Sequence, residues 1–152
     1  MTTPDTTIAV DVMGGDHAPD AIMDGVAEVF ERFGDAYKLF LVGDQVRIHE
    51  GLERLGISED DVRLKIVHAD EVIGMDEHPV KAIREKRKSS INMAMDLVKN
   101  GQAQGVFSAG STGLCLFAKD FTAWTQRKAF GITKILDAMH QNRLSGSMLH
   151  GL

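Results

Sequence analysis

The sequence predicts an α/β protein, built as a mostly parallel sheet with helices on both faces. Two observations carry that expectation. Short apolar stretches alternate with amphipathic ones from residue 8 to residue 108, and two of the apolar stretches run directly into glycine-rich turns. The first turn lies in Asp11-Val12-Met13-Gly14-Gly15-Asp16-His17-Ala18-Pro19, after Ile8-Ala9-Val10. The second is Ser108-Ala109-Gly110-Ser111-Thr112-Gly113, after Gly105-Val106-Phe107. Turns of this kind leave free backbone N–H groups at a helix start, where anions and phosphates bind. Open parallel sheets bind their ligands beyond the carboxyl ends of the strands. Two such turns in one chain therefore predict a cleft for a phosphorylated ligand.

Each element follows from its local pattern. Residues 1–7 are polar and read as a loose end. Ile8 to Val12 is a strand, and Pro19 falls in the first turn of the helix that follows. Asp20 to Phe33 is that helix, with Ile22, Val26, Val29, Phe30 and Phe33 on one face at three- and four-residue spacing. Gly34 ends it. Tyr37 to Val42 is a strand closed by Gly43-Asp44, and Gln45 to Leu55 is a helix stopped by Gly56 as a C′ glycine. Val62 to His68 is a third strand, apolar at 62, 64 and 66. Glu71 to Pro79 is a loop with Gly74 and Pro79 as breakers, and Val80 to Lys86 a short helix. Ser89 or Ser90 caps a further helix that buries Ile91, Ala94, Met95, Leu97 and Val98 and ends at Asn100-Gly101. Gly105 to Ser108 is the fourth strand.

Composition sets the class. The 152 residues suffice for one domain with a real core, and 43% hydrophobic with 26% charged residues describes a globular chain. A net charge of −5 argues against nucleic acid as the main partner. The single cysteine, Cys115, excludes an internal disulfide. No apolar run reaches the length of a membrane span, and no basic, apolar leader opens the chain, so a cytoplasmic location is expected. His17, His68 and His78 have no metal-ligand spacing, and neither a metal nor a cofactor is expected.

The character of the chain changes after Gly113. Five basic and two acidic residues follow it, net +3, whereas the first 113 residues carry 12 basic and 20 acidic ones, net −8. A helix over 132–140 is the one element the pattern offers there. Residues 1–113 are accordingly read as the N-terminal part of an α/β domain and 114–152 as a divergent tail.

The ordered motifs resemble the bacterial phosphate acyltransferase (PlsX) family of phospholipid synthesis. They are DVMGGDHAP at 11–19, LVGD at 41–44, EVIGMDEHP at 71–79, AIREKRKSS at 82–90 and LVKNGQAQGVFSAGSTG at 97–113. The resemblance implies a Rossmann-like fold similar to phosphotransacetylases and the isopropylmalate dehydrogenase group, here truncated. It implies transfer of a fatty acyl group from acyl carrier protein to inorganic phosphate, giving acyl phosphate. A homodimer and peripheral membrane association are implied as family properties, with the membrane-associating segment expected to be missing here. Ser111 stands where the family usually has Asn, and the expected Gly–Arg–Pro-type turn is replaced by Trp124-Thr125-Gln126-Arg127-Lys128. Members are also roughly twice as long. The break is read as a frameshift or aberrant gene end, with a true short variant as the other reading. A non-catalytic fragment and a coenzyme A-dependent, phosphotransacetylase-like enzyme are the alternative functions.

Phosphate attacking a thioester needs positioning and oxyanion stabilisation more than a triad, because the departing thiol has a pKa of about 8.5. The assigned catalytic residues are His17, Asp16 and Ser111. The assigned phosphate ligands are Gly14, Gly15, Ser89, Ser90, Ser108, Gly110, Thr112 and Gly113. Each has a plainer reading. Gly14 and Gly15 also suit an ordinary turn, Asp16 suits a helix N-cap, and His17 an exposed helix start. Ser89 and Ser90 suit capping, as do the hydroxyls of the second turn. Arg84 and Lys86, in a basic run with Arg87 and Lys88, are assigned to the acidic carrier protein or to phosphate, against a solvated face.

Overall fold

A computed structural model of the chain describes residues 6–110. Four parallel strands form one sheet in the order β3-β2-β1-β4, with β1 at Thr6–Asp11, β2 at Tyr37–Gly43, β3 at Leu64–His68 and β4 at Gly105–Ser108. The helices are α1 at Asp20–Phe33, α2 at Gln45–Leu55, α3 at Pro79–Glu85 and α4 at Ser90–Lys99. The Rossmann-like α/β expectation holds. The first three strands step outward in one direction, and the fourth returns to the far side of β1. That reversal opens a crevice beyond the carboxyl ends of β1 and β4.

Side-chain alternation along each strand separates two apolar layers. Val10, Val12, Leu39, Leu41 and Leu64 pack with Met23, Val26 and Phe30 of α1 and Ile48 and Leu52 of α2. The opposite face buries Ala9, Phe40 and Val42, and α4 covers it with Ile91, Ala94, Met95 and Val98. Each fully buried Leu, Ile, Val or Met contributes about 1.5–3 kcal/mol. No helix among the described residues is long and apolar enough to cross a membrane.

Several boundaries moved, each for a local reason. The first strand begins at Thr6, because Gln104 holds this end. Its side-chain oxygen accepts from Thr7 N–H at 2.7 Å, and its own N–H donates to Thr7 O at 2.8 Å. The third strand begins at Leu64, and Val62 is 71% exposed. Here the Asp61 carboxylate folds back onto the Arg63 N–H at 2.9 Å and its guanidinium at 2.6 Å, forming a turn instead of extended chain. The same guanidinium lies 4.2 Å from the centre of the Phe30 ring. Its hydrogen bond holds the Asp61 carboxyl below the ordinary carboxylate range. Met23 takes a fully buried place on α1, whereas Phe33, on the last turn, is 45% exposed and meets Tyr37 edge-on. Leu97 is only half-buried. Pro79, expected as a breaker, opens α3, where its missing N–H costs nothing.

Helix starts use different devices. Asp44 caps α2 by accepting from Val46 N–H at 2.9 Å and Arg47 N–H at 3.2 Å. His68 Nδ1 accepts from Gln45 N–H at 3.3 Å, while its Nε2 lies 3.1 Å from Asp70 Oδ1. With Nδ1 as acceptor, Nε2 carries the proton and donates to Asp70. This ties the end of β3 to the start of α2. Replacing Asp44 by alanine is expected to cost about 1 kcal/mol, read as a lower denaturation midpoint at unchanged m-value.

Candidate active site at the carboxyl edge of the sheet

The crevice is built by the last residues of two neighbouring strands. Asp11 closes β1 and pairs in register with Ser108, which closes β4. Asp11 is 3% exposed, and a carboxylate so buried requires hydrogen-bond partners. It has two. Oδ2 accepts from the Ser108 hydroxyl at 2.7 Å, and Oδ1 accepts from Met13 N–H at 3.2 Å. Ser108 Oγ in turn accepts from Gly110 N–H at 3.2 Å. A chain of hydrogen bonds thus runs from the turn after β1, through Asp11 and Ser108, into the turn after β4.

Both glycines of the first turn are required by space or conformation. A Cβ on Gly14 would lie 2.5 Å from Asp11 Oδ2 and 2.8 Å from Ser108 Oγ. Gly15 has φ 103°, a region that side chains rarely enter, and its Cβ position is 3.1 Å from Ala109 O. The two turns touch through their backbones. Expectation and structure differ over the helix start. α1 begins at Asp20, after a cis Ala18–Pro19 peptide, and Pro19 occupies its N-cap position. Asp16 therefore does not cap α1, and Pro19 precedes the first turn. The segment is long enough to make a turn of its own, with Ala18 N–H donating to Gly15 O at 3.3 Å. Asp16 and His17 are exposed on it. The N–H groups of Gly15, Asp16 and His17 have no hydrogen-bond partner among the described residues.

The structure thus brings together Gly14, Gly15, Ser108 and Gly110, with Asp16 and His17 on the rim. In this arrangement the Ser108 hydroxyl proton and the Gly110 N–H are both engaged inside the protein. Ser111, Thr112 and Gly113 lie outside the described residues, as do Cys115 and the helix expected over 132–140.

Ser89 and Ser90 stand at the start of α4. Residue 89 occupies the N-cap position with extended backbone, but its side chain makes no capping bond. Its Oγ is buried without a partner among the described residues. Ser90 N–H donates to Glu71 O at 3.2 Å, and Glu71 N–H donates to Lys88 O at 3.3 Å. These serines are held by the 71–78 loop, and among the described residues neither is bonded to a glycine-rich turn. Lys86 is also committed there. Its ammonium donates to Glu77 Oε1 at 2.6 Å and to Val72 O at 2.9 Å, and Gly74 N–H donates to the same Glu77 oxygen at 2.7 Å. Asn92 fastens the other side, with its amide donating to Ile83 O and Lys86 O at 3.0 and 2.8 Å. Arg84 and Arg87 are exposed, and their guanidinium groups make no ion pair among the described residues.

Sequence reasoning passed over Asp11, Glu77 and the His68–Asp70 pair. For Asp11 the signal was present: a charged residue ending an apolar strand immediately before two glycines. For Glu77 and His68 none was visible, since Lys86 and the Gln45 N–H that hold them lie 9 and 23 residues away.

Two outcomes follow from this geometry. Gly14→Ala is expected to displace Asp11 from Ser108 and to destabilise the fold by about 2 kcal/mol, measured by chemical denaturation. Lys86 first, and then Gly74 N–H, hold the Glu77 carboxyl below its usual range. A lowered folded-state value means the clasp stabilises the loop above the ordinary carboxyl pKa and releases it as pH falls through the lowered one. Amide exchange at Gly74 is therefore expected to accelerate in that acidic window, and Glu77→Gln to remove the acceleration.

Comparison with known proteins gives the family of the chain. The profile of the family described as Fatty acid synthesis protein matches residues 6–127. A protein of Nostoc sp. named phosphate acyltransferase is 49% identical over 109 residues, covering 72% of this chain and 30% of that protein. A protein of the same name from Desulforamulus reducens is 50% identical over 106 residues, covering 70% and 30%. Another from Streptococcus equi subsp. zooepidemicus is 48% identical over 111 residues, covering 73% and 31%. The chain thus spans about 30% of the length of these curated relatives. The matched stretch takes in all four strands and the crevice between β1 and β4, and by that match the chain belongs to the Fatty acid synthesis protein family.

Proposed function

We propose that this chain supplies the phosphate-binding crevice of an enzyme that transfers a fatty acyl group from acyl carrier protein to inorganic phosphate. The observation that carries this is the meeting of two glycine-rich turns across the β1/β4 reversal, with the Gly15, Asp16 and His17 N–H groups unclaimed among the described residues. Such a cluster suits a dianion, which needs several donors and close backbone approach.

In this reading the turn after β1 holds phosphate. A phosphate oxygen attacks the thioester carbonyl carbon, the carbon–sulfur bond breaks, and the carrier's thiolate leaves as acyl phosphate forms. His17 donates to phosphate or to the acyl carbonyl oxygen, with Asp16 beside it and Ser111 contributed by the second turn. The unpartnered Ser89 hydroxyl is a further donor for phosphate, with Ser90 beside it. Gly110, Thr112 and Gly113 complete the second turn. Arg84 and its neighbour Arg87, without an ion pair among the described residues, offer charge to an acidic carrier protein, whereas Lys86 acts through the clasp with Glu77. We assign a cytoplasmic location and no cofactor, and we take the homodimer and the membrane association as properties of the family rather than of this segment.

A second reading follows from the 30% span of the relatives: the chain binds phosphate but does not turn over. A thioester assay with and without inorganic phosphate separates the two. Acyl phosphate formed only with phosphate present supports the enzyme, and thioester consumption without phosphate overturns the proposed reaction. Phosphate-induced amide shifts at Gly15 to His17 without turnover select the second reading.

A further inference from the structure

We propose that Asp11 is a positioning residue that couples the two glycine-rich turns, so that the phosphate-binding geometry of the first turn is set by a hydroxyl on the second. The proposal rests on the crevice being a phosphate site. Asp11 touches no ligand position itself. Its two oxygens are both spent, one on Met13 N–H at 3.2 Å and one on the Ser108 hydroxyl at 2.7 Å. The first bond fixes the backbone leading into Gly14 and Gly15. The second directs the Ser108 proton away from Gly110, so that Ser108 Oγ offers a lone pair to Gly110 N–H at 3.2 Å. No cation pairs with Asp11 among the described residues, and its register partner across the sheet is Ser108 itself. A buried carboxylate with two neutral donors makes strong, directional bonds. Gly14 makes the arrangement possible, since any side chain there would occupy the space of the Asp11–Ser108 bond.

Asparagine at position 11 keeps the shape but has one acceptor oxygen in place of two, so with that oxygen on Met13 N–H its amide can only donate to Ser108 Oγ, which reverses the Ser108 bond and frees the hydroxyl proton. Alanine at position 108 removes the same bond from the other strand. Both variants are made in the full chain, singly and together, and titrated with inorganic phosphate, with binding read from amide shifts at Gly15 to His17. Each single variant is expected to lose about tenfold in phosphate affinity, and the double variant to lose no more than either. Losses that multiply in the double variant, or wild-type affinity in Asp11→Asn, overturn the coupling. Should Asp11→Asn not fold, Ser108→Ala carries the same expectation alone.

A second readout needs no ligand. In Ser108→Ala, amide exchange at Met13 to Asp16 is expected to accelerate about tenfold while exchange at Ile48, in the α2 core, is unchanged. Unchanged exchange in the first turn overturns the proposal. If the wild-type chain shows no phosphate-induced shift, the phosphate reading fails, and the exchange result still decides whether Asp11 couples the turns.

Discussion

The molecule depends on β4 lying beside β1. A fourth strand added outside β3 would extend the sheet in one direction and leave no crevice. By crossing beneath the sheet on α4 and pairing with β1, it gives β1, like β2, a neighbour on both sides. The carboxyl ends of β1 and β4 then stand next to one another, and their turns must share space. The Asp11–Ser108 hydrogen bond and the bare Cα of Gly14 are the local terms of that sharing. A polar bond of this kind is strong only because β-sheet register and the apolar layers exclude water around it. The core thus serves the site by fixing two strand ends at one spacing.

A separate polar structure anchors the chain between β3 and α4. The 71–78 loop closes on itself through Glu77, Gly74 and Lys86, and it meets the returning chain at Glu71 and Ser89 as an isolated bridge. Its charges are exposed or half-buried, so their contribution is modest and depends on pH and salt. The loop thereby holds the α4 start by backbone hydrogen bonds and leaves the Ser89 hydroxyl buried and unpaired among the described residues. A buried unpaired hydroxyl costs about 1–3 kcal/mol in general, which favours any ligand able to bond it.

Much of the fold was legible because its signals are periodic and local. The helices at 20–33 and 45–55 and the strand at 105–108 have the bounds their patterns predict. Errors arose where a side-chain hydrogen bond, distant or local, competed with the apolar pattern. Gln104 drew Thr6 and Thr7 into β1, and Arg63 drew Asp61 into a turn that left Val62 in solvent. The site was legible in part. Gly14 and Gly15 stand out in the sequence, but the role of Asp16 as a cap was an inference from spacing that the longer turn before α1 displaced.

The sequence by itself determined the class of fold, the element order and the positions of both glycine-rich turns, because apolar periodicity and glycine placement act over a few residues. It also determined the family, through motifs whose order survives in the text of the chain. Tertiary structure alone decided which strand β4 joins, that the two turns touch, and that Asp11 is the buried group between them. It likewise assigned Lys86 to Glu77 and left Arg84 without an ion partner among the described residues. These are pairings between residues 9 to 97 positions apart, and they are fixed by sheet register and by the packing of α4 rather than by any local preference.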